Sequence, residues 1–227
     1  MGIRDRRGFV CAAMAASVVL PGGITTLIGT ALARDPEQQG IRKMRGEVLV
    51  NGRKAGPGTV IAPGDKVATG DNSYATFVVG EDAFLMRGRT QVELGGMQKL
   101  VNLVRVATGA LLSVYAKGPP RTLQSATATI GIRGTGAYME IQPERTYFCL
   151  CYGEAQLQPV AAPAQSEILR TVHHDQPRYV YPAGRDRVVE RAPVINHRDA
   201  ELILLEALVG REPPFLELDE YRNGLRY

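Results

Sequence analysis

Between Glu47 and Leu157 the apolar residues recur with a period of two, and no feature of the chain narrows its fold more. Val48 and Val50, Val60-Ile61, Val67, Tyr74 to Val79, Ala83 to Met86, Val92 to Leu94, Val101 to Val106 and Leu111 to Tyr115 are short apolar or alternating runs. Turn signals separate them: Asn51-Gly52, Gly56-Pro57-Gly58, Pro63-Gly64-Asp65, Gly70-Asp71-Asn72, Gly80-Glu81-Asp82 and Gly95-Gly96. Strands this short with turns this frequent predict a mainly β fold, a solenoid- or roll-like domain of short strands spanning 46–158. Residues 34–45 read as a linker, and 159–227 as a C-terminal helical extension beginning with the Pro/Ala-rich stretch 159–166. Within it a helix is expected over 196–209. Asn196 is placed to cap it, Asp199 falls in its first turn, Gly210 supplies the stop, and Leu202, Leu205 and Val209 share one face.

Residues 1–33 are of a different kind. Three arginines within the first seven residues precede an uncharged stretch that ends in Ala31-Leu32-Ala33, the pattern of an export signal with a small-residue cleavage site. Arg6-Arg7 fits either a twin-arginine signal or an ordinary secretory one. The mature protein is therefore expected in the periplasm or secreted, with membrane contact only through an uncleaved signal. Removing three of the 27 basic and one of the 23 acidic residues leaves 24 against 22, a net charge of +2. That balance, without a basic stripe, argues against nucleic acid as a partner.

Ala128 to Tyr138 places glycines at 131, 134 and 136 around Arg133. A phosphate-binding loop would need a helix after it, but Ala137 to Ile141 alternates as a strand and Pro143 ends it. Ile130 and Ile132 share one face, whereas the odd-numbered Ala137, Met139 and Ile141 share a face after Gly134. The inside-outside phase slips at the glycines, which marks a bulge or corner. Arg133 is expected to hydrogen-bond carbonyls that the corner leaves unpaired.

The run Thr129-Ile130-Gly131-Ile132-Arg133-Gly134-Thr135 resembles the signature of the FecR domain family. Gly64-Asp65, Val67, Thr69-Gly70, Ser73, Ala75, Phe77, Gly80 and Thr90 are similar to that family's upstream pattern, so the resemblance covers about residues 46–157. It implies an extracytoplasmic, non-enzymatic β-domain that acts as a binding or regulatory module with a protein partner in the envelope. Gly131, Arg133, Gly134 and Thr135 would then be motif residues of structural purpose. Only seven residues precede the apolar stretch, where the family's sensors carry a sigma-binding segment, so the fold and compartment transfer more readily than sigma-factor signalling.

The residues with the most chemistry lie late in the chain. Cys149 and Cys151, two apart in a strand, point to the same side. Their Cβ atoms would stand about 6–7 Å apart, too far for an unstrained disulfide, whereas a metal with Zn–S bonds of about 2.3 Å brings two sulfurs within reach. All three histidines follow, His173, His174 and His197. In an extended segment His173 and His174 face opposite ways, so one of them is expected to join Cys149, Cys151 and His197 in a two-Cys, two-His set for zinc, iron or copper. Alternatively the histidines would be axial ligands of a haem. The competing reading makes the cysteines small buried hydrophobes and His173-His174-Asp175 a polar turn. A nucleophilic Cys with His173 and Asp175 is disfavoured, because an apolar strand raises a thiol's pKa.

Overall fold

The computed structural model describes residues 39–97 and 100–218. The export signal expected over 1–33 lies outside them. The described chain is mainly β, with one α-helix. Its strands are β1 (Gly40–Arg45), β2 (Val48–Val50), β3 (Arg53–Lys54), β4 (Lys66–Thr69), β5 (Tyr74–Val79), β6 (Asp82–Met86), β7 (Gln91–Met97), β8 (Leu100–Val114), β9 (Arg121–Gln124), β10 (Ala128–Gln142), β11 (Arg145–Pro159), β12 (Glu167–Thr171), β13 (Arg178–Val180) and β14 (Val189–Arg191). The helix, α1, is Asp199–Leu208, and a 3-10 turn follows at Pro214–Glu217.

All fourteen strands join one hydrogen-bonded network, running β14-β13-β11-β10-β9-β8-β7-β4-β2-β3, with β1, β5, β6 and β12 attached off that path. Neighbours are antiparallel except β8 and β9. The hairpin of β2 and β3 turns at Asn51-Gly52, both in the left-handed region at φ 52° and 75°, which is why that dipeptide serves there.

Several elements depart from the sequence reading. Residues 40–45 are not linker but β1, paired along β5 from Gly40↔Val78 to Arg45↔Tyr74. Its alternation was masked by Arg42, Lys43 and Arg45, although Ile41 is buried. Val60-Ile61 is not a strand. The two runs 101–106 and 111–115 fuse into β8, which changes partner near Gly109, pairing β7 before it and β6 and β10 after it. In the C-terminal extension the sequence leaves Tyr179 to Tyr181 and Val188-Val189 as strand candidates, and β13 and β14 form there; β12 was not expected, and because β12 and β13 both pair with β11 the sheet runs through the boundary expected at 158. The helix begins at Asp199 rather than 196; Asn196 sits at φ 59°, outside helical geometry, and its amide donates to Glu140 Oε2 at 2.9 Å instead of capping.

The glycine stretch is a bulge, as its phase slip requires. β10 runs straight through it, and its register with β11 shifts between Arg133 and Gly136 and again between Gly136 and Ala137. Ile130, Ile132, Ala137 and Met139 consequently all enter the main core despite their change of parity. Gly134 has φ 56° and its cross-strand neighbour Gly153 has φ 97°, conformations in which a side chain is strained. Arg133 departs from expectation: it is exposed, and among the described residues it makes no hydrogen bond to the turn's carbonyls.

Two apolar clusters lie on opposite faces of the strands. The larger, with Phe77, Phe84, Met86, Leu111, Met139, Phe148 and Leu150, is the main core. The smaller uses the alternate residues Val78, Leu85, Leu112, Tyr138, Tyr147, Cys149 and Cys151, and is covered by Leu202, Leu205 and Phe215 from the C-terminal segment. The candidate site belongs to this second face.

Candidate metal centre

Cys149 and Cys151 sit on β11 at a gap in its pairing. β13 pairs with it up to Phe148 and β12 from Gly153 onward, so the edge between them is crossed by the loop after β12. That loop is tied down where His174 N–H donates to the Cys151 carbonyl at 3.0 Å. His174 has φ 53°, a left-handed turn that histidine tolerates better than most residues. From the other direction Asn196, at φ 59°, delivers His197 just ahead of α1.

The result is a cluster of four donors. One ligand atom from each of Cys149, Cys151, His174 and His197 lies within 4.8 Å of all the others. Both cysteines are fully buried, His197 is 8 % exposed and the His174 side chain 9 %. His174 Nδ1 stands 3.5 Å from Cys149 Sγ and 3.0 Å from His197 Nε2. Of the adjacent histidines it is thus His174 that joins the cysteines. His173 is not in that four-atom cluster, yet it does not take the opposite face as expected: its ring packs on Phe215 and its Nε2 meets the same Asp199 oxygen as His174, while Asp175 is exposed.

Hydrogen bonding fixes which nitrogens face the cluster. His197 Nδ1 lies 2.7 Å from the Ile195 carbonyl, which can only accept, so Nδ1 carries the proton and Nε2 offers a lone pair. His174 Nε2 donates to Asp199 Oδ1 at 2.9 Å, leaving Nδ1 as its inward lone pair. His174 Nδ1 and His197 Nε2 therefore converge at 3.0 Å, a distance at which either a proton on His174 Nδ1 joins the two rings or a metal ion takes its place. Each histidine also has the oxygen partner that metal-bound imidazoles use to hold their orientation.

Asp199 is the residue that spacing did not reveal. It accepts from His173 Nε2 as well as His174 Nε2, both at 2.9 Å, and as the first residue of α1 it links the helix to the cluster. Its position two residues after His197 was the available signal, but it read as an ordinary helix-start acid. Tyr138, opposite Cys149 in the β10–β11 register, stacks on the His197 ring at 4.6 Å and 16°.

Electrostatics divide the thiols. The neighbouring Cys151 sulfur, together with the His174 and His197 rings and against the effect of burial, holds the Cys149 thiol well below its ordinary value. Burial, then Cys149, pushes Cys151 well above it. An apolar strand alone was expected to raise both; the Cys151 sulfur first, with the two imidazoles, reverses this for Cys149. Burial works against a charged His174, yet Asp199 and Cys149 outweigh it and bring that ring up to about 9.

The donor set suits zinc. Two thiolates and two imidazoles, all from protein and all enclosed, match a four-coordinate structural site with no position open to water or substrate. A haem does not fit. Axial histidines must stand on opposite sides of a planar macrocycle, whereas these two nitrogens face each other directly and share the space with both sulfurs.

No family model matches the chain, and no curated protein matches it. Among solved structures, two crystal structures of a candidate anti-sigma factor from Parabacteroides distasonis ATCC 8503 are similar to it with a TM-score of 0.46, at 8 % and 9 % sequence identity. Each similarity covers 56 % of this chain and 59 % of the other, so the chain spans less than two thirds of the length of the structures it matches.

Proposed function

We propose that this protein is a non-enzymatic β-module of the cell envelope, a regulatory or binding domain of FecR-like, roll-type architecture, which holds one zinc ion at Cys149, Cys151, His174 and His197. The observation that carries the metal reading is the convergence of four ligand atoms, from His174, His197 and two buried thiols, within 4.8 Å of one another. A closed centre of this kind stabilises or senses rather than catalyses, since zinc catalysis requires a fourth position for water or substrate. The FecR reading draws on the Thr129 to Thr135 motif, whose glycines form the bulge that brings β10 and β11 back into phase. The compartment follows from the export-type sequence of 1–33, and an envelope protein is the partner that such a module implies.

Metal analysis of the untagged full chain tests this. One zinc per chain is expected, falling to background in Cys151→Ser and in His197→Ala. Wild-type protein that takes up no zinc when purified and dialysed with a zinc buffer would contradict the reading.

A further inference from the structure

The four donors come from three separate stretches of chain. Cys149 and Cys151 belong to β11, His174 to the loop after β12, and His197 to the segment that leads into α1. From Pro193 to Leu218 that segment lies across the second apolar face. Leu202, Leu205 and Phe215 are fully buried against residues that include Leu85, Leu112, Tyr138 and Tyr152. The main core contains no residue from this segment; its last members are Val188 and Val189. Removing the segment would therefore uncover one face of the sheet and leave the main core whole.

The segment's order depends on docking. A helix of ten residues is below the roughly 12–15 at which an isolated helix becomes even marginal in water. Its polar attachments outside the cluster lie toward its two ends, and include the Asn196 amide on Glu140 at 2.9 Å and Arg211 on the Glu81 carbonyl at 2.7 Å. Tyr147 Oη donates to the Pro193 carbonyl at 3.0 Å and accepts from Ile195 N–H at 3.2 Å. Arg87 donates to the Asn196 carbonyl at 2.7 Å and pairs with Glu201 at 2.9 Å. At the far end Glu206 meets Tyr152 and Arg211. The start of the helix is held through the cluster itself, by His197 and by Asp199 on the two adjacent histidines.

On the metal reading given above, we infer that the ion is a latch for this segment. Bound metal draws His197 to the sheet cysteines and to His174, and so clamps Pro193–Leu218 over the second face. Without it, a single proton shared between His174 Nδ1 and His197 Nε2 takes the place of the coordinate bonds at the point where the segment joins the sheet, and His197 loses its tie to the two sulfurs. The segment is then held by its remaining side-chain contacts, and it opens more often, uncovering Tyr138, Tyr147 and Tyr152. Metal occupancy is thereby converted into exposure of an aromatic face, a regulated surface such as a sensing module needs.

Hydrogen exchange read by mass spectrometry on the full chain tests the latch, with zinc-loaded, chelator-stripped and re-loaded protein compared. Amides of 197–209 are expected to lose at least about tenfold in protection on stripping, while β5 and β6 keep theirs, and zinc re-addition is expected to restore the loss. His197→Ala, which cuts the latch from the segment's side, should reproduce the stripped pattern in the presence of zinc. Equal protection of 197–209 with and without bound zinc would overturn the latch while leaving the metal site standing. Protection lost evenly across β5, β6 and 197–209 would also overturn it, because the ion would then hold the whole fold. Absence of zinc from the loaded sample would remove the site and the latch together.

Discussion

The ring of Tyr152 fills the place that a Cβ on Gly136 would need: the added carbon would stand 2.5 Å from Tyr152 Cε1 and 3.1 Å from Leu202 Cδ2. The third glycine of the stretch is thus an opening for a tyrosine and a helix rather than for a phosphate. Gly131, by contrast, has nothing within 4 Å of an added Cβ. Gly136→Ala is expected to cost about 1–3 kcal/mol by overpacking, and Gly131→Ala to change stability by less than about 0.5 kcal/mol, in urea unfolding of the two variants. Equal effects would mean that close packing is not what position 136 requires.

Asp199 acts through His174. Asp199→Asn keeps the side chain's shape but removes the negative charge that orients the imidazole proton outward. Zinc affinity is expected to fall about 10–100-fold, measured by competition with a chromophoric chelator, with one zinc still bound at saturation. An unchanged affinity would show that the Asp199 contact serves only to start the helix.

Arg121 and Asp82 form a buried pair, with side-chain exposures of 4 % and 2 %, joined by two hydrogen bonds of 2.9 and 3.1 Å. Burial pushes the Asp82 carboxyl up, against the pull of the Ala116 N–H and Arg121. Arg121→Leu strands that carboxylate and is expected to cost about 3–5 kcal/mol at neutral pH. Adding Asp82→Asn should recover part of the loss, since the amide oxygen still accepts from Ala116 N–H. A double variant no more stable than Arg121→Leu would contradict this.

Acid sensitivity has a nameable contributor away from the ligands. Burial raises the Glu140 carboxyl, but hydrogen bonds from Asn196, Tyr138 and Gln142, with Arg87 nearby, outweigh it and hold the group below its ordinary value. A depressed folded-state pKa contributes stability that is present above the unfolded value of about 4.3 and is lost as pH falls through the folded value. Glu140→Gln should therefore flatten the acid limb of a stability-against-pH curve and leave its slope near pH 7 unchanged. An unaltered acid limb would rule Glu140 out.

Much of this was legible before any coordinates. The period-two runs located β5 to β8, and the parity change at Gly134 located the bulge, because both depend on local alternation. The meeting of Cys149, Cys151, His197 and one of two adjacent histidines was anticipated because few residue types bind metals and all three histidines fall late in the chain. What escaped depends on distant partners. β1 carries charge at Arg42, Lys43 and Arg45, which breaks the alternation, and its strand character comes from pairing with β5. The start of α1 falls after Arg198, whose N–H donates to Glu201 at 3.0 Å, and arginine is not a residue that capping preference picks. The roles of Asp199 and Tyr138 required knowing which ring lies beside which.

The most direct test of the centre is zinc K-edge X-ray absorption on the zinc-loaded full chain. Two sulfurs at about 2.3 Å and two nitrogens at about 2.0–2.1 Å are expected, with one sulfur lost in Cys149→Ser if that variant retains zinc. A first shell of nitrogen and oxygen alone in the wild-type protein would contradict the site.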